Sequence, residues 1–268
     1  MRTRTITLVV MFALFIPLII VGGWSMQVAI SILAIIGIYE FFLMKKTQFF
    51  SIEGLLTSIA TLSIVWGYAR ILVLHTRVSY FYVFFLCTLL LMVCSVYREK
   101  YCSFEDAAVY LLASLYVGGG FGSLLYVRSI GTPMVFLVLG VVWATDIFAY
   151  LTGRAFGKHK LAPKVSPNKT IEGSIGGIVA AVVYVLVYGH YYNPVGLAWL
   201  ESAILAVAMS WFGQLGDLVE SSFKRHFGVK DSGWIFPGHG GILDRFDSMF
   251  FALFVYQIVL GVLGKAAL

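Results

Sequence analysis

Charge is the first thing this sequence lacks. Only 12% of its 268 residues are Asp, Glu, Lys or Arg, whereas 60% are hydrophobic and 16% aromatic. With a mean hydropathy of +0.92, that composition excludes a soluble domain. Period-2 alternation of apolar and polar residues is also missing, which excludes a membrane β-barrel. Cysteine is scarce. Cys87, Cys94 and Cys102 are odd in number and contain no Cys-x-x-Cys pair, so neither a disulfide framework nor a zinc site is supported. No internal repeat is evident, which counts against a transporter built from inverted repeats. The stretch "VGGGFGS" (117–123) is glycine-rich but has no Lys-Ser/Thr after it, so it is not a phosphate-cradling loop. It reads as close helix packing or a helix break.

What the chain does have is apolar runs of about 20 residues, the length an α-helix needs to cross a bilayer. Backbone polar groups must be satisfied internally there, so the runs are helical. Nine spans are expected, at about 6–23, 26–44, 53–70, 78–97, 106–126, 133–152, 174–191, 196–219 and 249–265. "MRTRT" before the first run resembles the start of a signal peptide. The run is long for that, and "VGGWSMQ" is a poor cleavage site, so a retained helix is expected. The fold class is thus an all-α polytopic membrane protein, with residues 1–268 forming a single integral membrane domain.

The distribution of Lys and Arg orients it. With the N-terminus in the cytoplasm, fifteen of the nineteen basic residues fall on cytoplasmic segments. Arg70, Arg77, Arg128 and Lys265 fall on the other side. The C-terminus then lies opposite the N-terminus. The net charge of +6 becomes a property of the inner face, drawn to anionic lipid headgroups, and calls for no nucleic acid. Glu40, near a cytoplasmic helix end, reads as an interfacial carboxylate.

Residues 1–130 form a helical scaffold with short connections. Residues 131–268 differ: two long cytoplasmic loops, 153–173 and 220–248, carry most of their charge, and long loops in compact folds are usually functional. In "WATDIFAYLTGRAFGKHKLAPKVSPNKTIEGS" (143–174), Asp146 lies inside the sixth span, where an ionisable residue suggests function. "SPNKT" reads as a turn, with Pro167 and Asn168 in it, followed by a helix that Thr170 caps. Lys164 and Lys169 flank that turn beside free backbone N–H groups, a place for phosphate oxygens. In "GQLGDLVESSFKR" (213–225), Asp217, Glu220 and Lys224 share one helix face. In "SSFKRHFGVKDSGWIFPGHGGILDRFDS" (221–248), a tight turn surrounds His239, and Asp244 and Asp247 stand three apart on a starting helix. Carboxylates gathered at a membrane boundary among Lys and Arg repel one another unless something binds between them. Magnesium, held by one or two carboxylates plus substrate phosphate, answers that demand.

These residues closely resemble the phosphatidate cytidylyltransferase (CDP-diacylglycerol synthase) family. The likeness runs without departure through Ser221, Phe223, Lys224, Arg225, Lys230, Asp231, Gly233, Phe236, Pro237, His239, Gly240, Gly241, Ile242, Asp244, Arg245, Phe246 and Asp247. "LAPKVSPNKTIEGS" and "GQLGDLVES" resemble the blocks that precede that signature. The resemblance implies transfer of CMP from CTP to phosphatidate, giving CDP-diacylglycerol and pyrophosphate at the cytoplasmic face of a bacterial inner membrane. The catalytic half is then 131–268, and the family implies a homodimer.

Roles follow from the resemblance. Asp217 and Asp244 match the family's paired acids and are the expected ligands of Mg2+, with room for a second metal ion. Asp231, Asp247 and Asp146 are further metal or supporting groups. Lys169, Lys224, Arg225, Lys230 and Arg245 face triphosphate and phosphatidate oxygens, and Ser221 opens the signature. His239 orients a phosphate or a ligand, or is a structural turn histidine. Ser166, Asn168 and Glu172 shape the loop or read the nucleotide. Two rivals stand beside this reading. A CTP-dependent lipid alcohol kinase would release CDP, and a transporter would place its polar residues near the bilayer midplane.

Orientation is tested by single cysteines in a background freed of Cys87, Cys94 and Cys102. Lys160→Cys and Gly228→Cys react with impermeant thiol reagents only from the cytoplasmic side, and Asn193→Cys only from outside. Labelling of position 228 from outside would reverse the topology.

Overall fold

The computed structural model describes residues 2–69, 79–193, 196–235 and 240–265, with side chains in these ranges except those of 2–10 and 69. Among the described residues, nine helices lie where nine apolar runs were expected: α1 (Arg2–Val21), α2 (Gly23–Lys45), α3 (Ile52–Ala69), α4 (Tyr80–Tyr97), α5 (Phe104–Ile130), α6 (Thr132–Phe156), α7 (Ile171–Tyr191), α8 (Trp199–His226) and α9 (Leu243–Val262). Seven, α2 and α4 through α9, are long and apolar enough to cross a membrane. Helices α1 and α3 are also apolar, over Met11–Val21 and Ile52–Tyr68 among the residues whose side chains are described. The protein is a mainly helical membrane protein.

Short polar residues start several of these helices. Ser79 caps α4 by accepting from Phe81 N, and Ser103 and Asp106 form a reciprocal capping box on α5, at 2.8 and 3.1 Å. Thr170 caps α7 as expected, its Oγ1 accepting from Gly173 N at 3.1 Å. The turn expected at "SPNKT" does not form there. Ser166–Thr170 is strand β2, paired antiparallel with β1 (Lys160–Ala162), and the turn is at 163–165. Pro167 and Asn168 therefore sit on a strand, where pairing with β1 overrides their turn preference. The loops are also shorter than expected. Helix α8 continues through His226 and α9 begins at Leu243, because helix ends extend past the apolar window that marks a span.

Contacts divide the chain into two compact units, residues 1–129 with 227–245, and residues 130–226 with 246–268. Helix α9 opens in the first and continues in the second. In the first unit, Phe42 of α2 stacks on Tyr110 of α5 at 4.4 Å between centroids. The glycine run 117–123 stays inside α5 and serves packing. A Cβ on Gly118 would meet Ile64 at 3.0 Å, and one on Gly122 would meet the Tyr68 ring at 2.9 Å. Arg98 pairs with the buried Glu53 at 2.7 Å, and Lys45 pairs with Asp106. In the second unit, α7 packs against both α6 and α8. Its glycines admit the α6 backbone, since a Cβ on Gly177 would lie 2.8 Å from the Thr145 carbonyl oxygen.

Gly177→Ala therefore forces α6 and α7 apart and destabilises the protein by about 1–3 kcal/mol. Gly189→Ala, on the same helix with open space around it, removes a helix-disfavouring residue and is neutral or stabilising by up to ~1 kcal/mol. Thermal unfolding in detergent measures both, and equal effects would contradict the packing argument.

Candidate active site

In the second unit three elements deliver acids to one place. Asp146 comes from α6, Asp217 from α8 and Asp247 from α9. The negative charges of Asp217 and Asp146 and the positive charge of Lys224 all act on the Asp247 carboxylate, whose Oδ1 also accepts from Ser248 N at 2.7 Å. Helices α8 and α9 can approach this closely because of Gly216, where a Cβ would stand 2.6 Å from the Asp247 carbonyl oxygen. A narrow crevice beside Asp146 is lined by Val142, Thr145, Met209, Ser210, Gly213 and Ser248. Thr145 Oγ1 donates to Ser210 Oγ at 2.8 Å across it.

The basic partners arrive from the hairpin and from α8. Glu172, in the first turn of α7, accepts from Lys158 N at 3.1 Å and His159 N at 3.2 Å, and bonds His159 Nδ1 at 2.6 Å. These bonds tie the end of α6 to the start of α7 and fix the hairpin between them. On β2, Lys169 pairs with Asp217, whose Oδ1 accepts from Ser221 Oγ at 3.3 Å. Ser166 stands opposite Ala162 in the strand register, and Asn168 is exposed. One turn beyond Asp217, Glu220 is only 1% exposed and pairs with Lys224, itself 13% exposed. Arg225 Nε reaches the Val165 carbonyl in the hairpin turn at 3.5 Å. A buried ammonium held between carboxylates is a fixed positive charge, suited to phosphate oxygens.

The remaining sequence-derived residues belong to the first unit. Lys230, Asp231 and Arg245 are exposed. Asp244 turns one oxygen to its own loop: Oδ2 accepts from Ser232 N and Ser232 Oγ at 2.9 Å and from Gly241 N at 2.8 Å. Asp217 and Asp244, the pair expected to share a metal, thus belong to different units. His239 lies outside the described residues. Among the described residues, no group of three or more His, Cys, Asp or Glu is gathered as a ready metal cluster.

The contacts of two residues were not foreseen in the sequence. Glu40 was expected at the interface, but its side chain is fully buried on α2. Its Oε1 accepts from Ile242 N at 2.7 Å, and its Oε2 accepts from Leu243 N at 3.0 Å and Ser232 Oγ at 2.9 Å. Ser232, also buried, thereby touches both Glu40 and Asp244. The available signal was the sole carboxylate in the apolar run 23–44, the kind of intramembrane acid that marks function.

Known proteins are similar to this chain along nearly its whole length. The chain is similar to proteins named phosphatidate cytidylyltransferase. One from Staphylococcus saprophyticus is 40% identical over 265 residues, which is 97% of this chain and 99% of that protein. Others from Staphylococcus epidermidis and Staphylococcus aureus are 40% and 38% identical with the same coverage. The sequence model described as the cytidylyltransferase family matches residues 2–263. With the hairpin, the aspartate-bearing helices and the signature loop all inside that match, this chain belongs to the cytidylyltransferase family.

Proposed function

We propose that this protein is a phosphatidate cytidylyltransferase, transferring CMP from CTP to phosphatidate to give CDP-diacylglycerol and pyrophosphate. The observation that carries the reading is the cluster of Asp146, Asp217 and Asp247 with Lys169, Lys224 and Ser221 in one unit. An oxygen of the phosphatidate phosphate forms a bond to the α-phosphorus of CTP. The bond from that phosphorus to the bridging oxygen breaks, and pyrophosphate leaves with the electron pair. Phosphatidate is largely dianionic near neutrality, with a second pKa of about 6, so no strong base is needed. The protein supplies alignment and charge compensation. Lys169 and Lys224 exchange carboxylate contacts for phosphate oxygens as the substrates enter. Arg225, Lys230 and Arg245 face the outer oxygens of CTP and phosphatidate. Ser166, Asn168 and Glu172 set the shape of the hairpin against the nucleotide, His239 orients a phosphate or a ligand, and Asp231 is a further metal or supporting group.

The donor set fits a divalent cation. The acids are carboxylates, the hard oxygen ligands magnesium prefers, and three of them, Asp146, Asp217 and Asp247, meet with Lys169 and Lys224. Asp217, with Asp247 and Asp146, is the proposed ligand from the second unit, and Asp244 is the proposed ligand from the first. That number of carboxylates suffices for one or two ions. Bound there, Mg2+ would neutralise phosphate oxygens and stabilise the departing pyrophosphate. We place the site at the cytoplasmic face of a bacterial inner membrane, with the N-terminus inside and the chain acting as one membrane domain and as a homodimer. Only at that interface do a cytosolic nucleotide and a bilayer-anchored acceptor meet.

Purified protein given CTP, phosphatidate and Mg2+ forms CDP-diacylglycerol and pyrophosphate in equal amounts. Release of CDP with a phosphorylated lipid would assign a kinase instead. Asp217→Asn and Asp247→Asn keep size and remove charge, and each lowers kcat by on the order of 100-fold or more. Lys169→Arg and Lys224→Arg preserve charge but not donor geometry, and lower kcat/KM by about tenfold. Lys46→Arg, in a loop without chemistry, leaves it unchanged. Equal silence of all three Lys→Arg exchanges would remove the phosphate roles.

A further inference from the structure

We infer that Glu40, on the second helix of the N-terminal scaffold, is a positioning residue of the active site: it clasps the signature loop and sets the start of the helix that carries Asp244 and Asp247. The inference rests on the reaction proposed above for its kinetic consequence, and on geometry within the first unit for its structure. A carboxylate with no exposed surface is costly unless donors surround it. Those around Glu40 are the Ile242 and Leu243 amides, which open α9, and the hydroxyl of Ser232. A negative charge at a helix N-terminus satisfies amides that lack partners within the helix and is favoured by its dipole. Glu40 does this from about 200 residues away in the chain, so it fixes where α9 begins instead of merely stabilising it.

The glycines of the signature support the same reading. A Cβ on Gly233 would lie 2.7 Å from Glu40 Oε1, and one on Gly241 would collide with both Glu40 and Ser232. Gly240, at φ +80°, would collide there with the Asp244 carboxylate. Gly233, Gly240 and Gly241 thus approach the two carboxylates closely, and Ser232 Oγ stands 2.9 Å from each. Glu40 orients Asp244 through Ser232 and the first turn of α9 through two amides. It touches no substrate in this scheme and acts through those neighbours.

The test compares Glu40→Gln with Glu53→Gln, which alters another buried carboxylate of the same unit, paired with Arg98. Glutamine keeps the size of Glu40 but replaces one acceptor oxygen with a donor facing the donors it must satisfy. Amide hydrogen exchange at Ile242 and Leu243 accelerates roughly tenfold in Glu40→Gln, while exchange in α4 stays as in the unsubstituted protein. In the same sample kcat/KM for CTP falls roughly 10- to 100-fold, the scale of small misplacements of catalytic groups. Ser232→Ala, which spares the two amide bonds, gives a smaller change of the same kind. Glu53→Gln leaves Ile242, Leu243 and turnover unchanged. Unaltered exchange at Ile242 and Leu243 in Glu40→Gln would overturn the inference. So would uniform loosening of the unit with equal activity loss in Glu40→Gln and Glu53→Gln. Failure of the unsubstituted protein to form CDP-diacylglycerol would defeat the assigned reaction, whereas the exchange measurement reads the clasp without turnover.

Discussion

Charge removed from water must be compensated, and in a chain this poor in charge that constraint shapes nearly every polar contact. Glu40 is held by two amides and a hydroxyl, Glu53 by Arg98, Glu220 by Lys224 and Asp217 by Lys169. Stripping a partner from Glu40, Glu53 or Glu220 would leave a buried charge uncompensated, which costs several kcal/mol. In the second unit Asp146 and Asp217 both act on Asp247, with Lys224 set against them and Lys169 paired with Asp217.

Packing makes that arrangement possible. Glycines let backbones approach where side chains would hold them apart: Gly177 between α6 and α7, and Gly216 between α8 and α9. The first brings Thr170 and Lys169 to the end of α6, and the second brings Asp247 beside Asp217. Between α6 and α7 the hairpin is short and tied at its base by Glu172, so Lys169 is presented from a rigid strand. Rigid presentation suits a reaction in which the protein contributes alignment and electrostatics and little covalent chemistry.

The helices were legible in the sequence because hydropathy over about 20 residues is a local property. Their ends were less so, since α8 and α9 extend into charged segments where the apolar signal stops. "SPNKT" was misread because a strand depends on its partner, and β1 is invisible to local turn preference. Asp217, Asp247, Lys169 and Lys224 were singled out through the resemblance and through local spacing, and the fold brings them together in one unit. Glu40 was missed because its meaning lies in Ile242 and Leu243, far along the chain and in a segment rich in its own signals. Local reading sees a lone acid near a helix end, whereas only the fold supplies the amides it binds.

The proposed role of Asp217 is to hold a divalent cation together with CTP. Electron paramagnetic resonance of Mn2+, used in place of Mg2+ with purified protein in detergent, tests this without turnover. The account predicts a bound-Mn2+ spectrum that sharpens on addition of CTP, shows coupling to phosphorus, and is lost in Asp217→Asn. A bound spectrum with phosphorus coupling that is identical in Asp217→Asn would contradict it.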